Sequence, residues 1–194
     1  MQFPITMEFK LLALTPQVSV TDANGQLVCF VKQKMFKLKE KIDIFQDVEK
    51  QTALFSISAD KVLDYSARYR FTDPLGQEIG STKRHGRKSI WKARYDIYQG
   101  EQVEATIKED NAWVKVGDGL FSEIPFVGML SGYVFNPTYT VADPNGTVLA
   151  KIKKRPGFTS RTFEIDKISE MSEASETRIV LAILMMTLRE RRRG

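Results

Sequence analysis

The sequence predicts a mainly β (α+β) protein: a closed antiparallel β-barrel that holds the chain's own C-terminal helix as an apolar plug. Two patterns carry that expectation. Three segments repeat one design, Val18-Ser-Val-Thr-Asp22-Ala-Asn-Gly25, Tyr69-Arg-Phe-Thr-Asp73-Pro-Leu-Gly76 and Tyr139-Thr-Val-Ala-Asp143-Pro-Asn-Gly146. The chain then ends in an unbroken apolar run, Ile179 to Met186, extended to Leu188 through Thr187.

Each repeat is an alternating strand leading into D-x-x-G. The aspartate accepts from turn amides, a following proline presets φ, and the glycine supplies the positive φ that closes a hairpin. A second strand follows each turn, at Leu27 to Val31, Glu78 to Thr82 and Val148 to Ile152. Triplets of apolar, acidic and apolar residues come next: Ile42-Asp43-Ile44, Tyr95-Asp96-Ile97 and Phe163-Glu164-Ile165. In the first two copies the triplet passes through a polar turn into Ala53 to Ile57 or Val103 to Ile107; in the third it leads into the helix. Period-2 alternation between short turns describes a meander with one face inward, and closing that sheet removes its edges. The stretch Asp118 to Pro137 departs from the pattern and reads as a short helix or a crossover loop.

A helix over about 175–188 has well-specified ends. Ser172 or Ser175 suits its N-cap, Glu173 and Glu176 its positive end, and the basic tail 189–194 its negative end. Between them no polar stripe remains, so the helix must be enclosed on every side or lie in lipid. The run spans roughly 15 Å at ~1.5 Å per residue, and a bilayer core needs ~20 residues. Enclosure by the sheet is the economical solution. A terminal helix in a two-layer α+β core and a reversible membrane anchor are the competing readings.

Composition fits one domain over 1–194, with 42% hydrophobic and 27% charged residues. Cys29 is the sole cysteine, so no intramolecular disulfide forms and thiolate zinc sites are excluded. A reducing, cytoplasmic location fits best, with peripheral attachment to a membrane as its extension. Residues 1–14 read as folded chain and not as a secretion signal. Much of the net charge of +5 comes from the tail, where Arg189 and Arg191 to Arg193 face one Glu190.

Enzymatic patterns are lacking. His85, the sole histidine, sits in the basic turn Lys83-Arg-His-Gly-Arg-Lys88, Cys29 lies in an apolar strand, and no G-x-S-x-G elbow occurs. Asp22, Asp73 and Asp143 serve turns and show no calcium-loop spacing, so neither metal nor cofactor is expected. Asp43, Asp96 and Glu164 are expected on the outer face, paired with basic neighbours such as Lys39, Lys92 or Arg161. Basic clusters at Lys32 to Lys41, Lys83 to Arg94 and Lys151 to Arg155 recur at matching places. If the barrel joins the last two, Lys83, Arg84, Arg87, Lys88, Lys153, Lys154 and Arg155 form a pocket for phosphate oxygens. The plain alternative is that these residues solvate the outer sheet. Nucleic acid ranks below anionic lipid headgroups, because interleaved exposed aromatics are missing. Oligomeric state is left open.

The D-x-x-G turns, the basic strands after them, the acidic triplets and the final helix together resemble the LURP-one-related family of the tubby C-terminal-like superfamily, over roughly Phe9 to Leu188. That resemblance implies twelve strands around a central hydrophobic helix. Scramblases are thought to share the architecture and tubby proteins bind phosphoinositides, but no residue here matches their functional motifs, and fold alone carries no activity. The leading expectation is a non-enzymatic binding or scaffold module; a scramblase-like membrane protein and an unrecognised enzyme are the alternatives.

Overall fold

The computed structural model describes residues 1–10, 17–32, 41–60, 67–85, 94–110, 138–155 and 160–190. The stretch 118–137, read above as helix or loop, lies outside them. Among the described residues there are twelve strands: β1 (Ile5–Lys10), β2 (Gln17–Thr21), β3 (Leu27–Lys32), β4 (Ile42–Phe45), β5 (Ala53–Ala59), β6 (Arg68–Thr72), β7 (Glu78–His85), β8 (Arg94–Gln99), β9 (Gln102–Glu109), β10 (Thr138–Ala142), β11 (Val148–Arg155) and β12 (Ser160–Lys167). The described helix, α1 (Glu173–Glu190), follows them. Successive strands pair antiparallel and β12 pairs with β1, which closes the barrel.

The turn chemistry is the one the repeats specify. Asp22 Oδ1 accepts from the amides of Asn24 and Gln26, Asp73 Oδ1 from Leu75 and Gln77, and Asp143 Oδ1 from Thr147. Gly25, Gly76 and Gly146 stand at φ +73°, +84° and +89°. The first two repeats each supply four strands, β2 to β5 and β6 to β9. The third supplies β10, β11 and β12, and β1 fills its fourth place, with Ile5 opposite Ile165 and Phe9 opposite Arg161.

Five hairpins carry a register shift near the turn, where one residue of the second strand has no opposite number: Val28, Leu54, Ile79, Glu104 and Leu149. Such bulges bend the strand and re-aim a side chain. Four of these residues are aliphatic and pack against the core. Glu104 is the exception.

Strand alternation builds the interior. Ile5, Met7 and Phe9, Val18 and Val20, Ile42 and Ile44, and Ala150 and Ile152 all face the same buried cluster as Ile179 to Met186 and Leu188 of α1. No residue from Ile179 to Met186 is more than 3% exposed. Thr187 joins this apolar stretch because its hydroxyl donates to the carbonyls of Ile183 and Leu184. Ser172 caps the helix, its Oγ accepting from the amide of Ser175 at 3.2 Å. The helix extends two residues beyond the expected span at each end.

α1 lies nearest β6, β7 and β8. The inner face of β7 fits that offset, since it presents the small Gly80 and Thr82 opposite the larger Phe71 and Ile97 of its neighbours. A Cβ at Gly80 would sit 2.8 Å from the Tyr98 carbonyl and closer still to Arg178 Cδ of the helix. Among the described residues, no helix is long and apolar enough to cross a membrane.

Candidate functional site

The barrel has two chemically different ends. The turns 22–26, 46–52, 73–77, 100–101 and 143–147 lie at one, with the N-terminus of α1. This hairpin end carries Asp22, Asp47, Glu49, Asp73, Glu101, Asp143, Glu170 and Glu173 against Lys50 and Lys167. Asp47 illustrates its chemistry: hydrogen bonds from the amides of Gln51 and Thr52 hold its carboxyl below the usual range. The far end receives the last residues of β1, β3, β7 and β11 (Lys10, Lys32, His85 and Arg155) and the C-terminus of α1 with Arg189, against Asp60 after β5 and Glu109 and Asp110 after β9. The described members of the three basic clusters, Lys32 and Lys41, Lys83 to His85 with Arg94, and Lys151 to Arg155, therefore belong to, or directly precede, strands that end or begin there.

The expected pocket residues divide by side-chain parity. Lys83 lies on the outer face of β7, opposite Asp96. Arg84, 4% exposed, points inward opposite Tyr95. Lys153 and Arg155 lie on the outer face of β11, where Lys153 Nζ meets Asp166 at 2.8 Å and Arg155 pairs with Glu164 at 2.9 Å. Lys154 follows Ala150 and Ile152 onto the inner face. Arg87 and Lys88 lie outside the described residues. Since β8, β9 and β10 separate β7 from β11, the outward members of the two clusters stand on different parts of the wall, and the inward members Arg84 and Lys154 share its interior.

The triplet acids face outward, each with a local partner. Asp43 accepts from Ser56 Oγ at 2.9 Å and lies 3.4 Å from Lys41. Asp96, 4% exposed, accepts from Thr106 Oγ1 at 2.9 Å and Arg94 Nε at 2.8 Å, and His85 Nε2 stands 2.9 Å away. Glu164 receives Arg155. Of the partners named from sequence, Lys39 and Lys92 lie outside the described residues, and Arg161 faces inward opposite Phe9.

Arg161 is the residue that sequence reasoning did not place among the anion candidates. The signal was available: Ile165, Phe163 and Arg161 alternate on one face, as Ala150, Ile152 and Lys154 do on the next strand. At the same end, Arg189 stacks over Tyr69 with 5.2 Å from its guanidinium carbon to the ring centre and donates to the Tyr69 hydroxyl. Inward-facing cations thus stand on β7, β11, β12 and α1 at one mouth of the barrel, and one inward-facing carboxylate, Glu109 at the end of β9, shares their side by its alternation with Ile107.

The family model described as LURP-one-related matches residues 27–166. No curated protein sequence matches the chain. A protein from Arabidopsis thaliana known by its X-ray structure is similar at 13% identity and a TM-score of 0.48, over 95% of this chain and 91% of the other. With a family match across most of its length, the chain belongs to the LURP-one-related family.

Proposed function

We propose that the protein is a non-enzymatic binding module that takes phosphate-bearing anions at the far end of its barrel. The observation that carries this reading is the division of charge along the barrel axis. Acidic turns predominate at the end where the helix begins, and basic strand ends outnumber Asp60, Glu109 and Asp110 where it finishes. Such a field draws an anionic partner toward one end and repels it from the other. One further observation supports a non-catalytic role: burial pushes the Cys29 thiol up to about 12, so it is not poised as a nucleophile. A cytoplasmic protein that settles on anionic lipid headgroups is the biological form of this proposal.

Flotation with vesicles of neutral lipid, and of neutral lipid doped with phosphatidic acid or a phosphoinositide, tests it at low and physiological salt. Binding restricted to anionic vesicles and weakened by salt is expected. Charge reversal at Lys10 and Lys32, the exposed ends of β1 and β3 at that mouth, should weaken it in variants that keep their melting temperature. Equal flotation with neutral vesicles would remove the headgroup reading. Lipid-dependent protection of α1 from protease would favour the scramblase-like alternative instead.

A further inference from the structure

We infer that the anion is received on the inner wall of the far mouth, by Lys154 of β11 and Arg161 of β12, and that the group they hold is a phosphate monoester or inorganic phosphate. This deepens the proposed function and rests on its reading of the far end.

The register places the two cations together. Lys154 stands opposite Phe163, and Arg161 lies two residues before Phe163 on the same face, so the pair is a diagonal neighbour across adjacent strands. That spacing is ~7 Å or less between Cβ atoms, within reach of long side chains. Beside them on the same wall, Phe163 opposite Lys154 and Phe9 opposite Arg161, two rings meet edge-on at 5.7 Å and give the site an apolar flank. Both side chains are partly buried, and among the described residues neither has a carboxylate partner. Burial first, and then the charge of Arg161, lowers the pKa of Lys154. Two like charges held in a half-buried niche are unfavourable unless something anionic joins them. The C-terminal carbonyls of α1 offer only about half a charge to the whole mouth.

The contrast with the outer wall sharpens the assignment. Lys153 and Arg155, on either side of Lys154, already hold Asp166 and Glu164. Of three consecutive basic residues, the middle one lacks a carboxylate and faces a second cation. A phosphate monoester carries between one and two negative charges near neutral pH and enough acceptors to meet an ammonium and a guanidinium fork together. A larger polyanion would have to present one such group end-on to the mouth.

The test uses the full chain with three probes: inorganic phosphate, glycerol phosphate, and phosphatidic acid in vesicles. Titration of the wild type should show binding that Lys154→Met with Arg161→Met weakens at least tenfold and that Lys151→Gln, on the exposed outer face of the same strand, leaves unchanged. Binding of both soluble probes without vesicle binding assigns a free phosphoester; vesicle binding assigns a headgroup. If the double variant binds as the wild type does, the inner site is wrong and the reading of the far end survives. If the wild type binds none of the probes, both fall. Should the double variant not fold, the Lys154 side-chain NMR titration decides: phosphate should raise its pKa, and so should Arg161→Met alone. A pKa indifferent to both overturns the pairing.

Discussion

Arg178 of α1 grips Glu104 of β9 with two hydrogen bonds, Nε to Oε2 at 2.6 Å and Nη2 to Oε1 at 2.7 Å, at the one hairpin bulge that carries a charge. In the other four hairpins the same position turns an aliphatic side chain toward the core. The substitution makes this bulge a latch on the inserted helix, acting with the Lys167–Glu176 pair at the same end and the Arg189–Tyr69 contact at the other.

Glu104→Gln keeps the shape and removes the charge, leaving Arg178 buried without its anion. About 3 kcal/mol of stability should be lost, read as a drop in the urea midpoint at pH 7. Burial acts to raise the Glu104 pKa, but hydrogen bonds from Arg178 and Ser175 and the charge of Arg178 outweigh it and hold the carboxyl below 4.5. A depressed folded pKa stabilises the native state above the unfolded value, and that contribution is lost as pH falls through the folded one. The gap between wild type and Glu104→Gln should therefore be constant above pH ~5 and close below it. A gap that persists unchanged to pH 3 would show that the pair contributes shape and not charge.

Gly80→Ala should cost about 2 kcal/mol, because its new methyl meets the Tyr98 carbonyl and the Arg178 stem at the helix's closest approach. For a chain of this size that corresponds to a melting temperature lower by about 4 to 8 °C. Gly25→Ala is the matched comparison. It also has positive φ, but nothing lies within 4 Å, so only the backbone penalty of about 1 kcal/mol applies.

Cys29 should resist alkylation in the native protein. With its pKa pushed up to about 12, the thiolate fraction at pH 8 is on the order of a thousandfold below that of a free cysteine. Labelling by iodoacetamide, followed by mass spectrometry across a urea series, should track unfolding. Rapid labelling without denaturant would mean that the wall at β3 opens locally.

Much of this barrel was legible because its instructions are local. Asp73, Pro74 and Gly76 specify a turn without help from the rest of the chain, and a run such as Ile179 to Met186 leaves a helix no exposed face. The candidate site was less legible, since it depends on which way each side chain points. Lys153, Lys154 and Arg155 are one basic run on paper and two walls in space, and a one-residue change of register would exchange them. Alternation with Ala150 and Ile152 resolves the direction of Lys154. The bulges that shift register at Val28, Ile79 and Glu104 leave no mark in composition. Arg161 was similarly read as a partner for an outer acid, although its parity with Phe163 and Ile165 sends it inward.

The pairing of β1 with β12 has a consequence for biosynthesis. Ile5 must wait for Ile165, so the ribosome releases nearly the whole polypeptide before the wall can seal, and the helix that fills it arrives later still. Until then two unpaired strand edges and an empty greasy trough are open to neighbouring chains. Closure over so long a sequence separation makes sealing the wall the slow step of folding.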